Sequence, residues 1–218
     1  MNILSLSQVL PAPLQGQVRP NSEIWQCEQQ FQRGLAYFVS AASGKGKTTL
    51  QHIFYGLRSD FSGEVAIHSA VGKFVVSQTN SDDWAVVRSR ILSVIFQDLR
   101  LFAELSVGEN LLIKNQLTDF KSEKEIKDML AALEIDTFWE RKAGLLSYGQ
   151  RQRVAIVRAL LQPFEWLLMD EPFAHLDTEN IRKACTLIQQ ACQAQKAGFI
   201  LASLGEKYFF EYDFNLAL

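Results

Sequence analysis

Cysteine and histidine are scarce in this sequence, with three of each, and the charges nearly cancel. The three cysteines are scattered, so they provide neither an even disulfide set nor a metal-binding cluster, and a reducing compartment is the simplest interpretation. With 22 basic and 24 acidic residues the net charge is −2, which argues against a broad basic surface for nucleic acid. No run of roughly 18 apolar residues occurs, so no membrane span is predicted. The N-terminal residues carry no basic segment or cleavage site, so no signal peptide is predicted either.

The remaining composition is that of an ordinary globular protein, with 48% hydrophobic and 21% charged residues. A length of 218 residues predicts one domain, or one domain with a subdomain. Residues 11–21 contain three prolines and one glycine, which predicts a loop between N-terminal strands.

Short apolar runs alternate with amphipathic segments along the chain. Strands are predicted at 24–31, 35–40, 166–169 and 199–202, with a turn at 60–63 followed by further short strands. Helices are predicted at 48–57, 121–133, 150–161 and 178–195. Residues from about 98 to 145 are interpreted as a small helical subdomain. The alternation predicts an α/β fold with a largely parallel sheet.

A phosphate-binding loop is predicted between a buried strand and a helix, where residues 41–49 read A-A-S-G-K-G-K-T-T. Gly46, Lys47 and Thr48 match the P-loop pattern, and Ala41 stands where that pattern has its first glycine. Glycines allow backbone N–H groups to point at phosphate oxygens, while a lysine reaches the β/γ-phosphates and a hydroxyl binds Mg²⁺. The alternative is a glycine-rich turn with an incidental lysine. The residues of this loop that are predicted to bind a phosphate-bearing cofactor are Ala42, Ser43, Gly44, Lys45, Gly46, Lys47, Thr48 and Thr49.

Two adjacent carboxyl groups follow the apolar strand at 166–169. Asp170 is predicted to hold Mg²⁺, and Glu171 to orient and deprotonate a water that attacks the γ-phosphate. The alternative is that D-E-P is only a polar end to a strand. Further motifs are V-I-F-Q-D at 94–98, L-S-Y-G-Q-R-Q-R at 146–153 and A-H-L-D at 174–177.

In this order, the motifs resemble those of the ATP-binding subunits of ABC transporters over nearly the whole chain. The resemblance implies a single domain, 1–218, with a P-loop NTPase core of mostly parallel sheet flanked by helices, an antiparallel β part and the helical subdomain. It implies ATP and Mg²⁺ as cofactors. By this resemblance Glu171, Lys47 and Gln97 are catalytic, and Thr48, Gln97 and Asp170 hold the metal.

Ser147, Gly149 and Gln150 resemble the signature motif, whose consensus is L-S-G-G-Q, with Tyr148 in place of its first glycine. In the family this motif binds the γ-phosphate held by a second subunit, and a capped helix N-terminus suits an anion. A simple helix cap is the alternative for Ser147. Trp25 is a fallback for the aromatic that stacks adenine, although its pattern is that of a core strand residue.

One feature of the family is missing. The switch histidine, which contacts the γ-phosphate, falls at Ser203 or Leu204, and no histidine occurs after His175. The sequence therefore predicts an ATPase whose hydrolysis is slow.

The resemblance implies two partners, an integral-membrane transporter subunit and a second ATPase subunit, identical or different, and no nucleic acid. It places the chain in the cytoplasm, peripheral to the inner face of the cell membrane. A groove beside Gln97, with Leu101, Phe102 and Leu105, is predicted to accept a partner helix. The alternatives are a regulatory nucleotide-dependent protein with little turnover and a non-transport ABC protein.

Overall fold

Two β-sheets organise the protein in a computed structural model that describes residues 2–16, 22–42 and 44–218. The first is antiparallel, with the order β2-β1-β4-β5. Its strands are β1 (Ile3–Pro11), β2 (Glu28–Gln32), β4 (Phe61–His68) and β5 (Lys73–Val75). The second has the order β6-β7-β8-β3-β9, and every neighbouring pair is parallel. Its strands are β3 (Ala36–Ser40), β6 (Leu92–Ile95), β7 (Trp166–Asp170), β8 (Gly198–Ser203) and β9 (Phe214–Ala217). The predicted α/β class, with a parallel sheet and an antiparallel part, is confirmed.

The part of the chain that the structure describes contains six α-helices. They are α1 (Lys47–Phe54), α2 (Ser81–Val86), α3 (Val107–Gln116), α4 (Glu123–Ala132), α5 (Tyr148–Ala159) and α6 (Thr178–Gln195). A π-helical turn follows α2 at Val87–Ile91, and 3-10 turns occur at Ala12–Leu14, Asp136–Phe138 and Ala143–Leu145. Helices α3 and α4 lie within the segment predicted as a helical subdomain.

The parallel sheet separates two hydrophobic cores. Along β7, Leu167 and Met169 pack with α3 to α6, while Trp166 and Leu168 pack with α1 and the antiparallel sheet. All four side chains are fully buried, because successive residues of a strand point to opposite faces. A strand covered on both faces reads as a continuous apolar run, which explains why this segment was easy to predict.

The strand order decides where the predicted motifs meet. Strands β6, β7, β8 and β3 are consecutive neighbours and parallel, so their carboxyl ends share one edge of the sheet. The phosphate loop follows β3, Asp170 ends β7, Leu204 follows β8, and Gln97 lies two residues beyond β6. Ligands of open α/β sheets bind outside this edge.

Three local predictions were wrong. The segment 24–31 is a strand only from Glu28, because the Ser22 hydroxyl accepts the N–H groups of Ile24 and Trp25 and folds the preceding residues into turns. The turn at 60–63 is instead the start of β4, which pairs Phe61 with Pro11. Pro11 is accordingly the last residue of β1 rather than part of a loop. Residues 17–21 of that predicted loop lie outside the described residues.

Candidate functional site

A cavity of about 330 Å³ lies at the carboxyl edge of the parallel sheet. Eight of the predicted site residues line it, together with Ala174 and Leu204: Gly44, Gly46, Lys47, Thr48, Thr49, Gln97, Asp170 and Glu171. Ala42 and Lys45 belong to the same loop, joined by a hydrogen bond from the Lys45 N–H to the Ala42 carbonyl at 3.3 Å, but they are not among the lining residues. Ser43 lies outside the described residues. Segments far apart in sequence thus converge on one cavity.

The loop before α1 depends on glycine at two positions. Gly44 and Gly46 have φ values of +77° and +102°, which L-residues rarely adopt. Gly46 is also crowded from below, since a Cβ placed on it would lie 2.7 Å from Leu14 Cδ1 and 3.1 Å from Trp25 Cζ2. The Trp25 indole N–H donates to the Lys45 carbonyl at 3.3 Å. Trp25 is buried, as predicted, but it supports the loop from a turn rather than from a strand.

Lys47 places one buried positive charge in the cavity. Its Nζ donates to the carbonyl of Ala41 at 2.9 Å and lies 3.7 Å from Glu171 Oε1, an ion pair too long for a hydrogen bond. Only 8% of Lys47 is exposed. An ammonium group held this way is oriented toward the loop and the carboxylate, where a phosphate would also be attracted.

Asp170 and Thr48 form the shortest polar contact of the cavity. The Thr48 hydroxyl donates to Asp170 Oδ2 at 2.6 Å, and Asp170 is 3% exposed. Burial raises the pKa of Asp170, while the bond from Thr48 and the nearby His52 and Lys47 oppose that rise. Its second oxygen, Oδ1, is buried and has no hydrogen-bond partner among the described residues.

Glu171 is held in a strained backbone conformation, with φ of +46°. Non-glycine residues in this region cost about 1–3 kcal/mol and persist only where neighbours enforce them. Here the Glu171 N–H donates to the Ala202 carbonyl of β8 at 3.0 Å. Burial raises the pKa of Glu171, and the charge of Lys47 opposes the rise. In this backbone conformation Glu171 lines the cavity beside Lys47.

Ser203 and Leu204, the two candidate positions for the switch histidine, have different surroundings. Ser203 is buried at the end of β8, and its carbonyl accepts the Ala41 N–H at 3.3 Å. Leu204 instead lines the cavity and is 63% exposed. Leu204, the one of these two residues that lines the cavity, has an aliphatic side chain with no hydrogen-bonding group.

The signature residues lie apart from this cavity, at the start of α5. Ser147 is the N-cap of α5: its hydroxyl accepts the Gln150 N–H at 3.2 Å, and Gln150 Oε1 accepts the Ser147 N–H at 2.9 Å. A Cβ on Gly149 would lie 2.9 Å from the His175 carbonyl oxygen. The structure therefore shows capping for Ser147 and Gln150 and close packing for Gly149. Their role in nucleotide binding stays a prediction.

Sequence reasoning missed three contributors to the site. Ala174 offers only a methyl group, and Leu14 lies in a proline-rich segment without hydrophobic periodicity. Neither residue therefore has a sequence pattern that indicates a functional site. The third is Tyr148, whose hydroxyl contacts the backbone of Gln97. Its sequence signal was the departure from the glycine consensus.

Among the described residues, no helix is both long and apolar enough to cross a lipid bilayer.

Sequence comparison relates this chain to a protein family and to individual relatives. The family model described as ABC transporter matches residues 26–174. The thiamine import ATP-binding protein ThiQ of Aliivibrio fischeri is 30% identical, over 84% of this chain and 75% of the relative. The lipoprotein-releasing system ATP-binding protein LolD of Psychrobacter arcticus is 29% identical, over 76% of this chain and 73% of the relative.

The fold has a counterpart among solved structures. The dimeric structure of a bacterial ABC transporter cassette superposes with a TM-score of 0.78 and 22% identity, covering 98% of this chain and 94% of that one. The matched family model and the 30% identical relative show that the chain belongs to the ABC transporter family.

Proposed function

We propose that this chain binds Mg-ATP in the cavity at the carboxyl edge of the sheet and that two ATPase subunits close on the nucleotide to drive a separate membrane subunit. The observation that carries the proposal is the convergence of Lys47, Thr48, Asp170 and Glu171 on one cavity. The glycine-rich loop supplies backbone N–H groups and Lys47 a positive charge, which together suit a triphosphate. The relatives are ATP-binding proteins of transport systems, so a regulatory or non-transport role is not favoured.

A magnesium ion fits the residues on one side of the cavity. Asp170 has a buried carboxylate oxygen with no hydrogen-bond partner in the described part of the chain, and Thr48 and Gln97 line the same cavity. No three His, Cys, Asp or Glu side chains of the described ranges are grouped to hold a metal alone, which suits an ion held mainly by phosphate oxygens and water. When bound, the ion would neutralise charge on the β- and γ-phosphates. Thr48, Gln97 and Asp170 are the proposed ligands.

Glu171 is the proposed general base. Its carboxylate is directed into the cavity by a strained backbone, and burial holds its pKa above the ordinary value. A more basic carboxylate accepts a proton from water more readily. Lys47 pairs with Glu171, and a bound triphosphate would attract the same ammonium group and so compete for it with the carboxylate.

The nucleotide site is proposed to be shared between two copies. Ser147 and Gly149 do not line the cavity of their own chain, as far as the described residues show. The first N–H groups of a helix have no partner within it, so the N-terminus of α5 can bind the phosphate of a nucleotide held by a second subunit. We propose that each composite site combines Lys47 and Thr48 of one subunit with Ser147 and Gly149 of the other.

The proposed membrane partner docks beside the Gln97 loop. A small cavity of about 200 Å³ there is lined by aromatic and aliphatic residues, including Phe96 and Phe102, and by two basic ones, Lys114 and Arg158. Phe102 is 57% exposed, and Ile113 and Leu117 of the same region are 44% and 67% exposed. Clustered exposed apolar side chains are typical of interaction sites. We propose that residues 98–145 form the helical subdomain and that the chain lies at the inner face of the cell membrane, bound through this surface.

Slow hydrolysis is the finer part of the proposal: the sequence offers Ser203 or Leu204 at the position of the family's histidine, and of the two Leu204 lines the cavity. Steady-state phosphate release by the wild type is expected to fall below the usual enzyme range of about 1–10³ s⁻¹. Glu171→Gln is expected to abolish the remaining turnover while ATP binding persists. Leu204→His is expected to raise turnover, with Leu204→Ala as the control that removes the aliphatic side chain without adding a donor. Ordinary wild-type turnover that Glu171→Gln abolishes would refute slow hydrolysis and leave the ATPase assignment intact.

A further inference from the structure

Tyr148 connects three segments that the nucleotide chemistry is proposed to use. It is the first residue of α5, and its hydroxyl donates to the backbone carbonyl of Gln97 at 2.8 Å. Its ring meets the ring of His175 edge to face, with centroids 4.1 Å apart. The guanidinium of Arg151 lies 5.4 Å from the Tyr148 ring centroid. A glycine at this position would make none of these side-chain contacts.

The loop that contains Gln97 needs external support to keep its shape. Leu99 and Arg100 have φ values of +60° and +49°, two consecutive left-handed residues that are not glycine. Such a conformation persists only where the surroundings enforce it. Arg158 supplies part of that support, since its guanidinium donates to the carbonyls of Leu99 and Arg100, each at 2.6 Å. Tyr148 and Arg158 both belong to α5, so one helix contacts this loop at Gln97 and again at Leu99 and Arg100.

The side chain of Gln97 depends on this support. Gln97 is exposed and is one of the residues that line the nucleotide cavity. The hydrogen bond that joins it to Tyr148 is made by its backbone carbonyl, so the support acts on the backbone from which the side chain extends. The Tyr148 hydroxyl contacts the backbone carbonyl of that same residue.

We propose that Tyr148 is a positioning residue that acts through Gln97: its hydroxyl fixes the Gln97 backbone so that the side chain faces the metal side of the cavity. This inference rests on the proposed function, because Gln97 is useful there only if Mg-ATP binds. In a composite site Tyr148 would also link the two nucleotides. Helix α5 of one subunit contacts the phosphate that the other subunit holds, while Tyr148 of the same helix supports the Gln97 loop at its own subunit's nucleotide.

The test separates metal-dependent from metal-independent binding. Tyr148→Phe keeps the ring against His175 and removes only the hydroxyl. Tyr212→Phe is a matched control, because the Tyr212 hydroxyl also donates to a backbone carbonyl, that of Lys207 at 2.7 Å, away from the cavity. Equilibrium titration with ATP is carried out with excess Mg²⁺ and again in EDTA. Tyr148→Phe is expected to weaken binding about two- to tenfold with Mg²⁺ and not in EDTA, whereas Tyr212→Phe changes neither.

A double-mutant cycle tests the route through Gln97. If Tyr148 acts by positioning that side chain, Tyr148→Phe produces no further loss of Mg²⁺-dependent affinity in a Gln97→Ala background. Unchanged affinity of Tyr148→Phe with Mg²⁺, an equal loss in EDTA, or a full loss in the Gln97→Ala background would each overturn the positioning role. A wild type that binds no ATP in either condition would instead overturn the proposed function, and this inference with it.

Discussion

The support beneath the phosphate loop can be measured by comparing two glycines with similar backbone demands. Gly44 and Gly46 both have positive φ, and a Cβ costs roughly 1–2 kcal/mol in that region. Their surroundings differ. A Cβ on Gly44 meets nothing within 4 Å, whereas one on Gly46 lies 2.7 Å from Leu14 Cδ1 and 3.1 Å from Trp25 Cζ2. Leu14 and Trp25 are both buried, so neither can yield without disturbing the core beneath the loop.

The expected difference in stability follows from that geometry. Overpacking a filled core costs about 1–3 kcal/mol, which Gly46→Ala incurs in addition to a backbone cost no smaller than that of Gly44→Ala, since its φ of +102° lies further from the left-handed region than +77°. The entropy that alanine removes from the unfolded chain, about 0.4–1 kcal/mol, cancels between the two. Gly46→Ala is therefore expected to unfold with a free energy about 1–3 kcal/mol below that of Gly44→Ala. For a chain of this size the difference in Tm is about 2–12 °C.

Urea and thermal unfolding of the nucleotide-free protein, followed by circular dichroism, measure this difference. The wild type and Gly44→Ala together establish the backbone cost alone. Equal stability of the two alanine variants, within about 0.5 kcal/mol, would refute the claim that Leu14 and Trp25 hold the loop from below. A larger loss for Gly44→Ala than for Gly46→Ala would refute it as well.

Two further predictions concern a helix cap and a half-buried charge. Ser147→Ala and Ser122→Ala each remove a capping box, so each should lower the unfolding free energy measured in urea by about 1 kcal/mol. Only Ser147→Ala should also lower ATPase turnover. Unchanged turnover of this variant would restrict Ser147 to capping. Burial, with the charge of Arg158, lowers the pKa of Lys114 to about 8. Lys114→Met should therefore raise the unfolding free energy by about 1–3 kcal/mol at pH 7. That gain should shrink as pH rises from 8 toward 10.5, because the unfolded lysine keeps its proton over this range while the folded one loses it.

Much of the fold was readable from short-range pattern. The run at 166–169 predicted a buried strand because a strand covered on both faces is apolar throughout, and α6 was predicted with its observed bounds from its amphipathic period. The turns before β2 escaped prediction because they depend on the Ser22 hydroxyl, which has no periodic signal. The start of β4 escaped because pairing with β1 overrides the turn preference of residues around Gly63.

The sequence by itself determined the chemistry that this protein offers, since glycines before a lysine, a hydroxyl and adjacent carboxyls act through residue type and spacing. Tertiary structure alone decided how those groups are held. The order of the parallel strands brings Asp170 within 2.6 Å of Thr48, and the register of β8 directs Leu204 rather than Ser203 into the cavity. The support of the loop by Trp25 and of Gln97 by Tyr148 joins residues 20 and 51 positions apart. Such contacts depend on how whole elements pack, and no local pattern of residues encodes them.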